Sequence, residues 1–428
     1  MLSLTELSAA VTAGELSPTE HVRDACERLA ADTHNAVITL DADRALAQAA
    51  ALTEELARGE RRGPLHGVAL GVKDLFDVAG LPTRCGSDVL ADAPPAVADA
   101  AVVARLRAAG AVVVAKLHTH EFAYGPTGDV AAAGPARNPH DPSRITGGSS
   151  SGSAAAVAAG HVALALGSDT GASVRTPAAL CGVVGLKPSY GALPVDGVFP
   201  LSQTCDHVGF LTADVAGAAL TWDVLAGSGE FRVATRVGVL VDDFWRAADP
   251  VLDAAVVAAV EELRAGGVEI VEIRTPMIEE LAAVYPTIVG AEAWATHRHW
   301  VAERPGAYQP ATRERLAVNA DMPAHVYVDA LRTRARLTAE LRAAVGDVDA
   351  LVLPTTRLRA TPIGADDVDG VPVRPSLLGL TLPFNLTGWP AVSVPGAVSD
   401  GGLPAGVQLV GVGLDERSLL HLAGSVSP

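Results

Sequence analysis

The 428-residue sequence predicts an α/β fold in which helices flank a mixed, largely buried central sheet. Patterns typical of helices alternate along the chain with short apolar runs typical of buried strands. Hydrophobic residues make up 49% of the chain, which is enough for a sizeable core. A chain of this length forms one large domain or two closely associated ones, and we expect a single domain over residues 1–428.

The predicted elements begin with helices. Ser17 and Glu20 form a capping box around Pro18, so a helix is expected from Pro18 to about Leu29. Further helices are predicted over 43–58, 99–110 (capped by Asp99), 153–159, 252–264 and most of 313–345. Strands are predicted over 68–72, 111–117, 162–166, 237–241, 268–273, 351–353, 392–394 and 407–410. Residues 230–345 have less Gly and Ser than the segment before them and are predicted to be an insertion or cap.

Charge and cysteine content exclude several functional classes. The formal net charge of −17 gives no basic surplus for binding nucleic acid or an anionic membrane. The N-terminus does not resemble a signal peptide, and no apolar run is long enough for a membrane helix, so a cytoplasmic location is expected. The cysteines are widely spaced, which argues against disulfides and zinc sites: Cys26, Cys85, Cys181 and Cys205.

Lysine is rare in this chain. Only three of the 32 basic residues are lysine, namely Lys73, Lys116 and Lys187, and each ends an apolar run. Arginine cannot lose its proton in a protein, whereas a buried lysine can. These lysines are therefore candidates for chemistry that arginine cannot perform. The alternative is that each strand end needs only a slim cation whose head reaches water.

Serine and glycine are concentrated in two short windows, residues 147–153 and 167–173. Small residues let the backbone approach a substrate, and hydroxyl groups supply nucleophiles. The first window contains G-x-S-x-G, which in an α/β-hydrolase nucleophile elbow would make Ser150 the nucleophile. That motif requires a preceding strand, but residues 134–147 contain three prolines and two glycines and are predicted to be irregular. The elbow is therefore disfavoured.

Several motifs in the same order resemble the amidase signature family. They are GVALGVKDLFDVAG, KLHTHEFAYGPTG, ARNPHDPSRITGGSSSGSAAAVAAG and DTGASVRTPAALCGVVGLKPS, with a weaker match at PFNLTGWPAVSVP. The likeness is strong over residues 64–215, weaker over 350–411, and absent from 230–345. It implies the amidase signature fold, with 64–215 as the signature core and 230–345 contributing to the substrate pocket.

The resemblance also implies a catalytic triad of Lys73, Ser149 and Ser173, with a cis peptide before Ser149. Ser173 would be the nucleophile, Lys73 the base, and Ser149 the relay between them. The implied oxyanion hole consists of the backbone N–H groups of Thr170, Gly171, Ala172 and Ser173. The implied substrate-binding residues are Tyr124, Gly125, Gly147, Gly148 and Ser151. No cofactor is expected, and His118 and His120 lack a third ligand at a recognisable spacing, so no metal is expected either.

Two departures from the family pattern concern the site. Ser151 stands where the family usually has glycine in GGSSGG, and Ala172 replaces glycine in DTGGS. If residue 172 required a positive φ, alanine would strain the oxyanion hole. The departures put rate and substrate fit in doubt more than identity. Lys116 and Lys187 are interpreted as architectural.

The predicted function is hydrolysis of a small-molecule amide, or a related C–N bond, through an acyl-enzyme. One alternative is the A subunit of a glutamyl-tRNA(Gln)/aspartyl-tRNA(Asn) amidotransferase; another is a catalytically silent paralogue. That subunit typically has SIRQPA and SSLDQIGP where this chain has SVRTPA and SQTCDHVGF, and it is usually longer. The expected partner is a small amide rather than nucleic acid or membrane. A homodimer is also left open.

Overall fold

The computed structural model of the chain describes residues 2–397 and 402–427. Its strands are β1 (Val37–Leu40), β2 (Ala69–Lys73), β3 (Val112–Leu117), β4 (Arg137–Asn138), β5 (Asp141–Ile145), β6 (Leu164–Asp169), β7 (Val184–Lys187), β8 (His207–Thr212), β9 (Arg236–Leu240), β10 (Glu269–Ile273), β11 (Ala350–Pro354), β12 (Asp367–Val368), β13 (Val371–Pro372), β14 (Ala391–Pro395) and β15 (Gly406–Gly411).

The helices are α1 (Leu4–Ala13), α2 (Pro18–Ala30), α3 (Ala42–Ala57), α4 (Ala101–Ala108), α5 (Ser151–Ala158), α6 (Arg175–Cys181), α7 (Val215–Ala226), α8 (Pro250–Ala265), α9 (Ile278–Ala283), α10 (Tyr285–Glu303), α11 (Pro310–Ala317), α12 (Ala324–Val345), α13 (Val373–Leu378), α14 (Pro383–Leu386) and α15 (Glu416–Ala423). In the described ranges, no helix is both long and apolar enough to span a bilayer.

A mixed sheet of 11 strands forms the centre of the molecule, in the order β1-β3-β2-β6-β8-β7-β14-β15-β11-β9-β10. β3, β2 and β6 run parallel to one another, whereas β8 is antiparallel to β6 and β7. Every residue of β2, β3 and β6 is buried, because helices cover both faces of this part of the sheet. The prediction of an α/β fold with a mixed, buried sheet is confirmed.

Local sequence signals succeed where capping chemistry is complete. α2 starts at Pro18, and Ser17 and Glu20 bond each other's backbone as the capping box predicts. The prediction that Asp99 caps the helix expected over 99–110 is wrong. α4 starts at Ala101, and the Asp99 carboxylate instead accepts a 2.8 Å hydrogen bond from the Ala79 N–H.

Residues 230–345 divide into two parts. β9 and β10 pair in parallel and extend the central sheet at its edge beyond β11. α9 to α12 follow, and side chains from α9, α10 and α11 line a cleft described below. The first part therefore belongs to the central sheet, and the second contributes side chains to the cleft. The assignment of 230–345 as an insertion or cap stays a prediction.

Candidate active site

The pairing of two parallel strands brings Lys73 and Ser168 to one edge of the sheet. Lys73 is the last residue of β2, and Ser168 is the penultimate residue of β6. β2 and β6 are parallel neighbours, so their carboxyl ends lie at the same edge. The Ser150 N–H donates a 3.1 Å hydrogen bond to the Ser173 carbonyl, which joins the start of α5 to the segment after β6. Both Ser/Gly windows of the sequence thus meet beside Lys73.

Three serine hydroxyls surround the Lys73 amine. Lys73 Nζ lies 2.7 Å from Ser149 Oγ, 3.0 Å from Ser150 Oγ and 3.0 Å from Ser168 Oγ. Ser150 Oγ in turn donates to the Ser168 carbonyl at 3.2 Å. The contact of Ser168 with the lysine is not predicted by any motif, although Ser168 lies inside the second Ser/Gly window. Of the three hydroxyls, that of Ser149 is the nearest to the amine.

The environment of Lys73 favours its neutral form. The side chain is fully buried, and no carboxylate of the described chain forms an ion pair with it. Burial lowers the pKa of Lys73 to about 7, and the attraction of Asp169 only partly opposes this. A large fraction of the amine can therefore accept a proton near neutral pH.

The Ser173 hydroxyl is available to a ligand. Ser173 is 5% exposed and lines a small cavity together with Thr170 and Tyr124. Its hydroxyl bonds no other residue within 2–397 and 402–427. The backbone N–H groups of residues 170–173 likewise donate no hydrogen bond to any described residue. A free hydroxyl group and a row of free backbone donors therefore lie in one short segment.

A buried ion pair holds this segment in place. Arg175 Nη2 lies 2.9 Å from Asp169 Oδ1, and both side chains are fully buried. The other carboxylate oxygen accepts from the N–H groups of Val174 (3.0 Å) and Arg175 (3.3 Å). Burial alone would raise the pKa of Asp169, but the charge and hydrogen bonds of Arg175, together with the Lys187 charge and the Asn385 amide, keep it well below its usual range. The ion pair and these hydrogen bonds connect the residues on either side of 170–173, so they restrain the conformation of this segment.

The residues expected to bind substrate fall into two groups. Tyr124 and Gly125 line the cavity at Ser173. Gly147, Gly148 and Ser151 are buried behind it and are not among its lining residues. Ser151 Oγ lies 2.7 Å from His118 Nδ1, so this serine fastens the start of α5 to the segment after β3.

The two departures from the family pattern fit the structure. Ala172 does not have a positive φ, so the strain considered for alanine at this position does not arise. Gly171 is the residue that needs to lack a side chain, because a Cβ there would lie 2.2 Å from the Tyr285 hydroxyl. The peptide bond between Gly148 and Ser149 is cis, as the resemblance implies.

A larger cleft opens from the cavity at Ser173. Its volume is about 540 Å³, and it shares Tyr124, Tyr285, Arg374 and Leu378 with the smaller cavity. Its walls come from α9, α10, α11 and α13 and from the segments around Phe244 and Arg357. Neither Tyr285 nor Arg374 lies in a motif, so the sequence alone does not indicate either residue as part of the site.

One cluster elsewhere has the composition of a metal site. Single ligand atoms of Asp32, His34 and His161 lie within 4.8 Å of one another. His161 Nε2 is already hydrogen-bonded to Asp32 Oδ1 at 2.9 Å. None of the three residues lines the cavities at Ser173.

His118 and His120, which the sequence places close together, have pKa values lowered by burial to about 4 and about 3.

Comparison with known proteins places the chain in a family. A family profile described as Amidase matches residues 20–420. The chain belongs to the amidase family. It is 37% identical over 455 residues to AtzE, the 1-carboxybiuret hydrolase subunit of Pseudomonas sp. (strain ADP), covering 99% of this chain and 98% of that protein. It is 35% identical over 466 residues to the A subunit of glutamyl-tRNA(Gln) amidotransferase of Roseiflexus sp. (strain RS-1), covering 98% of this chain and 95% of that protein.

The fold of this amidase-family protein agrees with that of a solved relative. A crystal structure of an amidase superposes with a TM-score of 0.92 at 40% identity, covering 99% of both chains. The resemblance predicted from the motifs is thereby confirmed. So is the prediction that the protein is an enzyme acting on C–N amide bonds. Because the match covers 95% of the amidotransferase chain, length does not separate the two functional alternatives.

Proposed function

We propose that this amidase hydrolyses a small carboxylic amide without a partner chain, giving the acid and ammonia or an amine. The observation that carries the proposal is the buried 2.7 Å contact between Lys73 Nζ and Ser149 Oγ beside the Ser173 segment. A lysine with a pKa near 7 can act as a base, and a hydroxyl between base and nucleophile can pass a proton.

In the first half-reaction, Ser173 Oγ attacks the carbonyl carbon of the amide. Ser173 gives its proton to Ser149, which gives its own proton to neutral Lys73. The carbonyl oxygen becomes an oxyanion and accepts hydrogen bonds from the free N–H groups of residues 170–173. When the C–N bond breaks, Lys73 returns the proton through Ser149 to the leaving nitrogen, and an ester remains on Ser173.

In the second half-reaction, water attacks that ester. Its proton travels through Ser149 to Lys73, and the same N–H groups stabilise the second oxyanion. Breakage of the ester bond releases the acid, and the proton returns from Lys73 to Ser173. The cycle restores all three residues, and each turnover consumes one amide and one water molecule.

The contact between Ser173 and Ser149 forms during this cycle rather than before it. The Ser173 hydroxyl makes no hydrogen bond to another described residue, so it is free to rotate. Catalytic hydrogen bonds often tighten only when substrate is bound. Substrate in the small cavity would leave the hydroxyl little room except towards Ser149.

The second candidate function is that of the amidotransferase relative, which the 35% identity over most of both chains supports. AtzE is itself named as one subunit of a hydrolase, so a partner chain is compatible with this family. Against the amidotransferase role, Thr176 stands where the SIRQPA motif typical of such A subunits has Gln, and residues 202–210 depart from their SSLDQIGP motif.

Turnover by the isolated chain distinguishes the two functions. The purified protein is incubated with a panel of primary amides, anilides and carbamates, without tRNA, ATP or a partner chain, and ammonia or amine is measured. We expect at least one simple amide to be hydrolysed. Turnover of glutamine alone, and only with added partner chains, would favour the amidotransferase; absence of any turnover would favour a silent paralogue.

Labelling identifies the nucleophile. A fluorophosphonate adduct should map by mass spectrometry to Ser173, and Ser173→Ala should abolish it. A label on Ser150 would instead support the nucleophile elbow and contradict the relay.

A further inference from the structure

The cleft next to Ser173 has an unusual distribution of charge. Three arginines line it, Arg315, Arg357 and Arg374, whereas its lining residues include no Asp or Glu. This contrasts with the whole chain, whose formal net charge is −17. A cleft lined by one sign of charge between low-dielectric walls attracts ligands of the opposite sign. The cleft therefore favours anions on a molecule that otherwise repels them.

Arg374 differs from the other two arginines in its hydrogen bonds. Arg315 donates to the Tyr124 carbonyl, and Arg357 donates to the Phe244 carbonyl. Arg374 Nη1 is buried and has no hydrogen-bond partner among the described residues. Its guanidinium carbon lies 6.0 Å from the centre of the Tyr124 ring. A buried N–H without an acceptor costs free energy that an incoming acceptor would recover.

The position of Arg374 connects this unpartnered donor to the chemistry. Arg374 lines both the large cleft and the small cavity that contains Ser173. Arginine stays protonated even where burial lowers its pKa, as it does here. The guanidinium of Arg374 therefore lines the same small cavity as Ser173, so that a short substrate could contact both side chains.

We propose that the substrate is a small amide that also carries a carboxylate, and that Arg374 binds this carboxylate while Ser173 attacks the amide carbon. The inference rests on the proposed amide hydrolysis at Ser173. A planar carboxylate matches the fork of a guanidinium and supplies the acceptor that Nη1 lacks. The apolar walls, among them Val289, Leu378 and Leu382, would enclose the methylene groups between the two ends.

The test compares matched amides. Succinamate, glutaramate and adipamate each carry a terminal carboxylate at a different distance from the amide. Their methyl esters and the corresponding alkyl amides, butyramide to hexanamide, lack the charge. We expect kcat/KM for the best carboxylate-bearing amide to exceed that of its neutral counterparts about tenfold or more. A ratio near one in the wild-type protein overturns the proposal.

Variants assign the preference to a residue. Arg374→Met should bring the ratio of charged to neutral kcat/KM to within about threefold of one, because it removes the cation and its donors. Arg298→Met is the matched control, since Arg298 is an exposed arginine whose Nη1 bonds only the Ala295 carbonyl of its own helix. This control should keep the wild-type ratio. An unchanged ratio in Arg374→Met overturns the proposal.

Folding and function are checked separately. Fluorophosphonate labelling of Ser173 reports whether a variant keeps an intact site. If Arg374→Met does not fold, Arg374→Lys takes its place, and its ratio should fall because an ammonium lacks the planar fork; an unchanged ratio again overturns the proposal. Hydrolysis of neutral amides without a charge preference would sink this inference but leave the proposed function standing. Absence of both turnover and label would sink both.

Discussion

β2 and β3 are neighbouring parallel strands, and each carries a buried lysine near its carboxyl end. Lys116 on β3 lies 2.8 Å from Asp74 Oδ1, and both side chains are almost completely buried. Lys73 on β2 is just as buried but contacts three serine hydroxyls. Burial lowers the pKa of Lys73 to about 7. The two lysines are equally buried, but Lys116 contacts a carboxylate and Lys73 contacts only hydroxyl groups.

The comparison indicates what lowers the pKa of a buried lysine enough for it to serve as the proposed base. A carboxylate supplies an opposite charge that offsets the burial of the ammonium, so an ion pair of this kind suits a structural role. Hydroxyl groups can accept hydrogen bonds from the ammonium but supply no opposite charge, so burial dominates and the proton becomes easy to lose. Lys187 shows a third arrangement, in which its amine donates hydrogen bonds to the carbonyls of Pro188 (2.9 Å) and Trp389 (2.7 Å). Burial lowers the pKa of Lys187 as well.

Replacing each lysine by arginine gives the largest expected contrast. Lys73→Arg keeps the positive charge but cannot accept a proton, so kcat/KM should fall about 100-fold or more. Lys116→Arg can keep its ion pair with Asp74 and should lose less than about tenfold. Rates on a turned-over amide and circular dichroism of both variants measure the contrast. If Lys73→Arg retained more than about a tenth of the wild-type kcat/KM, Lys73 would not be the base.

The structural role of the ion pair between Lys116 and Asp74 is tested by removing the lysine. Lys116→Met leaves the Asp74 carboxylate buried without its cation, and the free energy of unfolding should fall by about 3–5 kcal/mol. Chemical denaturation measures it. The control is the double variant Lys116→Met/Asp74→Leu, in which no charge is left behind, and it should recover much of the loss. Equal losses in both variants would contradict the role assigned to the pair.

The pH dependence should show the lowered pKa of Lys73 directly. The neutral amine is the active form, so kcat/KM should rise with pH through about pH 7 and level off above it. Between about pH 8 and about pH 6 the rate should fall about tenfold, as the fraction of neutral lysine does. A rate profile between these limits, with stability checked at each pH, measures it. A flat profile would mean that another group takes the proton.

Removing one hydroxyl should have the smallest effect. Ser168→Ala deletes an acceptor that stabilises the Lys73 ammonium, so the pKa of Lys73 should fall further, by up to about one unit. The acid limb of kcat/KM should move to lower pH. Ser153→Ala is the matched control, because the Ser153 hydroxyl bonds the Leu166 carbonyl at 2.8 Å and not the lysine. A shift to higher pH in Ser168→Ala would contradict the argument.

Sequence patterns predicted most of the sheet because its strands are continuous apolar runs. β2 and β3 were predicted within about a residue, and both end at a lysine or one residue beyond it. The sequence patterns do not predict β1, β7 or β8. β7 and β8 each contain a glycine, Gly185 or Gly209, and each begins or ends with a polar residue, which lowers the apparent preference for a strand. Their pairing with β6 and β14 stabilises them, and pairing between distant segments is not visible in a local window.

The site shows the same division. Lys73, Ser149 and Ser173 lie in motifs, so the resemblance was sufficient to propose them. Arg374 comes from α13, about 200 residues after Ser173, and is one arginine among many in this chain. Nothing local separates it from arginines on the surface. Arg374 stands out because its buried Nη1 has no hydrogen-bond partner among the described residues. This can be seen only in the folded chain.

The origin of the two halves of the site has a consequence for how such an enzyme can diversify. Every side chain that bonds Lys73 Nζ comes from residues 149–168. Most of the cleft wall comes from residues 244–382 instead. Tyr285, whose hydroxyl packs against Gly171, is one point at which the cleft wall meets the segment that carries Ser173. Substitutions on α10, α11 and α13 can therefore change which molecule fits the cleft while leaving the contacts of Lys73 unchanged, so specificity can evolve separately from the proposed proton relay.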